Sequence, residues 1–253
     1  ERANLTNNKE AWRYGGGSAW STPAIDLKTH TLFFGTGNPS PQMNDISRPG
    51  DNLYTVSLVA LDTETGKLKW HYQQVPHDVW GYDLASPPVL FNYISNGQSI
   101  PAVGQASKTG WYFVNDRATG KLLMKSDAFV PQKNLFAKAS KEGTVLFPGI
   151  LGGSNWSPSA LDEHNQIAFV AGIHAPIKYT LVEEPAKNVA AITFTGWAND
   201  KKIEKFKQKL KTALDAEGIT YSNRFYFLGY NAPYEFFNRK NEVIVELQLD
   251  VLD

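Results

Sequence analysis

The chain has 253 residues, and its 25 Lys and Arg residues balance 25 Asp and Glu residues, so the formal net charge is zero. This balance argues against nucleic acid or an anionic membrane as a partner, because binding to phosphates usually requires a basic surface. Cysteine is absent, which excludes disulfides, thiolate metal sites and a cysteine nucleophile and leaves the compartment open. No apolar run approaches the ~20 residues that a membrane helix needs. The start at Glu1, with neither Met nor a signal peptide, is compatible with a processed or excised piece and with a cleaved export signal.

Residues 1–180 contain short alternating or apolar runs separated by Gly, Pro and Asn, which predict short β-strands. The runs are THTLFFGTG, SLVALDTETGKLKWHYQ, GWYFVNDRATGKLLMKS and NQIAFVAGI. Asp62–Lys67 (DTETGK) and Asp116–Lys121 (DRATGK) are near copies, each a tight Gly-containing turn between two strands. A repeated strand–turn–strand unit indicates the blades of a β-propeller. An antiparallel sheet protein with two similar hairpins is the alternative.

The pattern changes near residue 181, and we place the domain boundary within 180–187, between domains of residues 1–180 and 181–253. Residues 187–196 predict an apolar strand. Residues 201–217 predict an amphipathic helix capped by Asn199 or Asp200 and ended by Gly218. Its expected apolar face is Ile203, Phe206, Leu210, Ala213 and Leu214. Residues 224–230 and 241–249 predict two more strands, which gives a small α+β unit in β-α-β-β order.

Three motifs of the first part occur together: GTGNPSP (35–41), RPGDN (48–52) and PHDVWGYD (76–83). The combination resembles the active-site stretch of the quinoprotein dehydrogenases, which are β-propellers that oxidise alcohols or sugars with pyrroloquinoline quinone (PQQ) and calcium. The resemblance covers about residues 11–186. It implies a mainly β fold with a partial propeller of two to three blades, and a periplasmic location. The implied reaction transfers two electrons from a primary alcohol or sugar hydroxyl to PQQ, with the substrate and the electron acceptor left open.

The resemblance also implies roles for particular residues. Trp20, in GGGSAW, matches the tryptophan on which PQQ stacks, and Asn38 matches a calcium ligand that binds through its amide oxygen. Lys108 matches the cation that polarises the quinone carbonyl oxygens, and Asn155 and Trp156 match a later cofactor contact. From the residues alone, Trp20 could instead dock one blade on the next, Asn38 could serve turn geometry, and Lys108 could be a solvated lysine at a strand edge.

PHDVWGYD departs from the family pattern at the catalytic base. The family has Asp directly after the Trp, whereas this chain has Gly81, which cannot accept a proton. Asp83 would point to the same face of an extended segment, so we interpret it as a substitute base and Asp78 as structural. Other family ligands, including a Glu that binds calcium, lie in blades outside this sequence, so the cofactor site is expected to be incomplete.

The segment YNAPY…NRKNEV resembles the end of SOUL-type haem-binding proteins, over about residues 179–250. This resemblance implies tetrapyrrole binding, although no His or Met follows residue 174, so the ligand would be Tyr230 or Tyr234, or binding would use an apolar groove. A plain structural α+β unit is the alternative.

The two family patterns overlap in KYTLVEEPAKNVA (178–190), which suggests a crossover between them. A third hypothesis for the whole chain is therefore a non-catalytic chimeric or structural protein that oligomerises through open strand edges.

Overall fold

The computed structural model describes residues 16–230, 237 and 239–248. Their tertiary contacts divide the chain into two compact units, one ending at Val182 and the other beginning at Glu183. Each unit has its own buried core.

The first unit begins with a four-stranded antiparallel sheet, here called blade one, whose strands follow one another in chain order. The strands are β1 (Ala24–Asp26), β2 (Thr31–Gly35), β3 (Ser57–Asp62) and β4 (Leu68–Gln73). The predicted DTETGK turn joins β3 to β4. Asp62 forms this turn, since its Oδ1 accepts hydrogen bonds from the backbone N–H groups of Glu64 and Thr65.

Blade two repeats this plan. Its strands are β5 (Val89–Ser95), β6 (Gln98–Ala106), β7 (Tyr112–Asp116) and β8 (Leu122–Lys125). Asp116 makes the same turn bonds to Ala118 and Thr119 that Asp62 makes in blade one. The predicted repeat of propeller-like strand–turn–strand units is confirmed.

The rest of the first unit is less regular. Its strands are β9 (Thr144–Leu146), β10 (Ala160–Asp162), β11 (Ile167–Phe169) and β12 (Ile177–Tyr179). They form two separate two-stranded sheets, β10–β11 and β12–β9. The unit therefore holds two full blades, the β10–β11 hairpin and the β12–β9 strand pair, as expected for a partial propeller of two to three blades.

The second unit is an α+β structure with a three-stranded sheet in the order β13–β15–β14. Its elements are β13 (Val189–Thr195), helix α1 (Asp200–Ala216), β14 (Tyr221–Gly229) and β15 (Lys240–Leu247). The predicted β-α-β-β order is confirmed. Asn199 is the N-cap, because its Oδ1 accepts the backbone N–H of Lys202.

The apolar face of α1 was predicted correctly except at Ala213. Leu210 and Leu214 are buried against Phe194, Val243 and Val245, and Ile203 and Phe206 pack beside them. Ala213 is exposed instead, because the buried stripe is narrower than the periodic pattern indicates. β14 begins at Tyr221, three positions before the predicted start of that strand.

The core of blades one and two generates a stability prediction. Leu58 is fully buried with Phe33 and Val103, whereas Leu68 is 43% exposed. We expect Leu58→Ala to lower the free energy of unfolding by about 2–5 kcal/mol, since it removes packed methyl groups and leaves a cavity. Leu68→Ala is the matched control and should change it by less than about 0.5 kcal/mol. Urea denaturation measures both, and equal losses would contradict the assigned core.

Candidate functional site

An ion pair joins two of the predicted site residues. The Lys108 Nζ donates to Asp83 Oδ2 at 2.6 Å and to the carbonyl oxygen of Gly81 at 3.0 Å. The two side chains are only 9% and 15% exposed. A shielded pair of this kind is costly to break, because removing one partner leaves the other charge without compensation in a low-dielectric site.

Asn38 completes the cluster through its backbone. Its N–H donates to Asp83 Oδ1 at 2.6 Å, so each oxygen of this carboxylate has a partner. The Asn38 side-chain Nδ2 donates to Pro39 O at 2.8 Å, so its amide oxygen is the remaining acceptor of this side chain. Three predicted site residues, Asn38, Asp83 and Lys108, therefore meet at one point.

Close backbone packing places this cluster at the end of β2. Gly37 N donates to Ser18 O at 2.9 Å, and Gly17 N donates to Asn38 O at 3.0 Å. A Cβ atom on Gly37 would lie 3.0 Å from Asp83 Oδ1. Glycine at position 37 thus allows the loop to approach the carboxylate.

Lys108 is held from the other side by the loop of residues 149–156. Gly153 N donates to Lys108 O at 2.6 Å, and a Cβ atom on Gly152 would lie 2.4 Å from the Lys108 Cβ. The predicted contact residue Asn155 belongs to this loop, where its Nδ2 donates to Leu151 O at 2.9 Å. Asn155 therefore shapes the loop that covers Lys108.

Trp20 and Trp156 contact each other edge to face, with ring centroids 6.1 Å apart. They are 41% and 72% exposed, so a large part of each ring faces solvent. The segments that hold them both attach just after Asp83, since Ser21 Oγ donates to Ala85 O and Ser86 Oγ donates to Ser157 O. The two aromatic rings are therefore anchored to the same stretch of chain as the ion pair.

Asp78 has the structural role that the sequence predicts. Its carboxylate accepts the backbone N–H groups of Trp80, Gly81 and Tyr82 at 2.8, 3.0 and 2.8 Å. Asp78 is 2% exposed, and this burial raises the pKa of its carboxyl above the usual value. The carboxylate thus shapes the backbone turn that leads to Asp83.

Gly81 is constrained by both its backbone and its surroundings. Its φ is +83°, which favours glycine, and a Cβ atom there would lie 2.0 Å from Gln42 Nε2. Gln42 Nε2 donates to Trp80 O at 2.8 Å. The Gln42 side chain therefore fills the space that a side chain at position 81 would need. The expected extended segment is wrong here, because residues 79–86 form no strand and the backbone turns at Gly81.

Gln42 was not identified from the sequence, because nothing in PSPQ links it to a glycine 39 positions later. Arg48, in the RPGDN motif, fixes the loop that carries it. The guanidinium donates to Pro41 O at 2.8 Å, Gln42 O at 2.7 Å and Asn52 Oδ1 at 2.7 Å. Arg48 is 3% exposed, so this motif has a structural role.

In the second unit, the hydroxyl of Tyr230 donates to Glu242 Oε2 at 2.6 Å, and this bond raises the pKa of Tyr230. An anionic carboxylate beside the phenol disfavours the phenolate that would ligate haem iron. Tyr234, the other predicted candidate, lies outside the described residues.

The comparison with family models gives two matches. The model of the PQQ family, described as the β-propeller domain of glucose, ethanol and alcohol dehydrogenases, matches residues 1–135. The model of the SOUL heme-binding proteins matches residues 173–246. The first match covers more than half of the chain, so the chain belongs to the PQQ-type glucose/ethanol/alcohol dehydrogenase propeller family. Its C-terminal part resembles a SOUL heme-binding protein.

Particular relatives agree with this assignment. The chain is 32% identical over 182 residues to quinoprotein alcohol dehydrogenase PedH of Pseudomonas putida, an alignment that covers 64% of this chain and 30% of that protein. It is 34% identical over 178 residues to the quinohemoprotein alcohol dehydrogenase of Comamonas testosteroni, covering 64% of this chain and 25% of the relative. The crystal structure of the Comamonas testosteroni enzyme superposes with a TM-score of 0.60 at 32% identity, covering 65% of this chain and 27% of that one.

The chain thus spans between a quarter and a third of the length of these relatives. Among the described residues, no helix is long and apolar enough to cross a membrane.

The tight packing at Gly81 generates the second prediction. We expect Gly81→Asp to lower the free energy of unfolding by more than Gly66→Asp does. Gly66 has a similar φ of +68° but no atom within 4 Å of an added Cβ. Gly66→Asp should therefore lower the free energy of unfolding only by the backbone strain of a positive φ, about 1–3 kcal/mol. Adding Gln42→Ala to Gly81→Asp should recover part of the loss in urea denaturation. Equal costs at the two glycines would contradict the role of Gln42.

Proposed function

We propose that the first unit is the part of a PQQ- and calcium-dependent dehydrogenase that holds one side of its cofactor. The reaction of that dehydrogenase is oxidation of a primary alcohol or a sugar hydroxyl. The observation that supports this most is the convergence of Asn38, Asp83 and Lys108, which brings together a neutral oxygen ligand, a carboxylate and a cation. PQQ, when bound, accepts the two electrons that the substrate loses.

The residues present fit part of a calcium site. The Asn38 side chain donates through Nδ2 to Pro39 O, and its amide oxygen is the kind of hard oxygen ligand that calcium prefers. The described residues contain no group of three or more His, Asp or Glu side chains placed for a metal ion. Asn38 is therefore the one calcium ligand that we propose among the described residues.

Lys108 is the proposed cation for the quinone oxygens. Its ammonium group is buried and already oriented by Asp83 and the Gly81 carbonyl. A preoriented cation stabilises negative charge better than a solvated one, because little reorganisation is needed when the charge develops. Asp83 thus positions Lys108, and Asn155 supports it from the loop above.

Asp83 is also the proposed proton acceptor in place of the missing base at Gly81. A substrate hydroxyl would have to share Asp83 Oδ2 with Lys108, since Asp83 Oδ1 is held by the Asn38 N–H. A carboxylate within hydrogen-bond reach of the substrate satisfies the geometric requirement for a general base. Trp20 would offer its exposed face to the flat cofactor, and Trp156 would border it.

The family also suggests a periplasmic location and a small alcohol or sugar as the substrate. We also propose that residues 1–180 and 181–253 are separate domains with separate functions.

PQQ binding in the presence of calcium tests the role of Lys108. Quinone absorbance and tryptophan fluorescence should show saturable binding to the full chain. Lys108→Ala should weaken it by roughly ten- to a hundredfold, because a hydrogen bond to a charged group contributes about 1.5–3 kcal/mol. Lys108→Arg should retain most of the affinity, and Lys67→Ala, a change at an exposed turn lysine, is the matched control. Equal affinity of the Lys108→Ala and Lys67→Ala proteins would contradict the proposal.

The same titration tests the aromatic wall. Trp20→Ala should weaken PQQ binding by about tenfold, since it removes the stacking face. Trp197→Ala is the control, because Trp197 is exposed to a similar extent, 56%, but belongs to the second unit. An unchanged affinity in the Trp20→Ala protein, together with native circular dichroism, would exclude Trp20 from the site.

A second candidate function is tetrapyrrole binding by residues 181–253, which the match to SOUL heme-binding proteins favours. We expect hemin to give a shifted Soret band with the full chain, and the band should persist in Tyr230→Phe because Tyr230 is bonded to Glu242. Absence of a shift would leave this unit as a structural element, and loss of the band in Tyr230→Phe would make Tyr230 a ligand after all.

A further inference from the structure

Blade two and the β10–β11 hairpin border an open groove of about 520 Å³, here called the β11 groove. Its wall is largely apolar and aromatic. It includes Phe91, Tyr93, Val114, Met124, Leu161 and Val170. The groove lies within the first unit and uses none of the residues proposed to hold the cofactor.

The interface between blades one and two shows what covers the equivalent face of blade one. Trp70 on β4 and Met124 on β8 are equivalent, because each follows the repeated turn and pairs with the matching residue, Ala60 or Val114. Trp70 is covered by the β7–β8 hairpin of the next blade. Its Nε1 donates to Arg117 O at 3.1 Å, and its ring lies against the hairpin turn, where a Cβ on Gly120 would be 2.6 Å from the ring. Met124 instead lines the open groove.

The open face at Met124 corresponds to an edge of β11 that no other strand of the described residues pairs with. The β10–β11 hairpin repeats β1–β2 in register, since Ala160 pairs with Phe169 as Ala24 pairs with Phe33. In blade one, β3 pairs with the other edge of β2, whereas within the described residues β11 pairs only with β10. Phe33 is fully buried, but Phe169 is 59% exposed. β11 therefore presents an unpaired strand edge next to an apolar groove.

The charge around the groove indicates the kind of strand that fits. Asp127, Asp162 and Glu163 line it, and in the described part of the chain none of the three forms an ion pair. A second copy of the chain would add its own acidic groups to this edge, which disfavours self-pairing. In the interface between blades one and two, the covering hairpin carries a positive charge. Arg117 of the β7–β8 hairpin forms an ion pair with Asp26 of blade one at 3.1 Å.

We propose that the β11 groove binds a basic β-hairpin supplied by another polypeptide. One strand of this hairpin pairs with the free edge of β11, and the hairpin covers Met124 as β7–β8 covers Trp70. Main-chain hydrogen bonds then provide affinity, apolar side chains fill the groove, and basic side chains meet its acidic rim.

A cyclised peptide with the sequence of residues 112–125, YFVNDRATGKLLMK, is a suitable probe. It contains three basic residues and one acidic residue, and it has the hairpin that covers the equivalent face of blade one. Cyclisation fixes the hairpin, so failure to bind cannot result from an unfolded peptide. Fluorescence anisotropy of the labelled peptide with the full chain should show saturable binding that weakens as salt is raised.

Two variants test the two halves of the site. Ala168 is equivalent to Leu32 of β2. The backbone groups of alternate residues in β2 point toward β3, as the bonds from Thr63 N to His30 O and from Thr36 N to Ser57 O show, so those of Leu32 also do. The backbone N–H of Ala168 therefore points to the free edge of β11. Ala168→Pro removes a donor from the free edge and should weaken binding by about tenfold. Asp127→Lys should weaken it by about threefold or more at low salt, and Glu142→Lys, the same charge change in an exposed loop outside the groove, should have no effect.

No binding at millimolar peptide, or equal binding by the Asp127→Lys and Glu142→Lys proteins, would overturn the proposal. A dimer of the chain that blocks the peptide and dissociates in Ala168→Pro would also overturn it, because the occupant would then be a second copy. Light scattering separates this result from the others. Circular dichroism checks that the Ala168→Pro protein retains its fold. If that protein is unfolded, the comparison of Asp127→Lys with Glu142→Lys still tests the groove.

Discussion

The carboxylate of Asp83 is the group on which the candidate site depends. One oxygen accepts the Asn38 N–H and the other accepts the Lys108 ammonium, so a single side chain links the loop after β2 to the turn after β6. The loop of residues 149–156 packs against Lys108, and the side chains of Lys108 and Asp83 are only 9% and 15% exposed. A shielded carboxylate with a partner on each oxygen fixes the position of the cation that the proposed chemistry needs.

The surroundings of Asp83 also explain why position 81 holds glycine. The backbone turn before Asp83 is built by Asp78, which binds three successive N–H groups, and by Gln42, which occupies the side-chain space of residue 81. A carboxylate cannot be placed at position 81 without moving Gln42. The glycine at position 81 and the placement of Asp83 are therefore parts of one local arrangement.

Much of the fold follows from sequence because its signals are local. The DTETG and DRATG turns, the Asn199 cap and the apolar stripe of α1 each lie within a few residues of the structure that they specify. The site was predictable only residue by residue, from family motifs. The bond between Asp83 and Lys108 spans 25 positions and the contact of Gln42 with Trp80 spans 38, so neither has a local pattern that predicts it. The hydrogen bond from Tyr230 to Glu242 likewise has no local pattern that predicts it.

A crystal structure of the full chain grown with PQQ and calcium tests the central claim most directly. The account predicts PQQ stacked on Trp20 with its quinone oxygens within hydrogen-bond distance of Lys108 Nζ, and a calcium ion on the Asn38 amide oxygen. PQQ bound elsewhere, or a Lys108–Asp83 cluster with neither ligand beside it at saturating concentrations, would contradict the account.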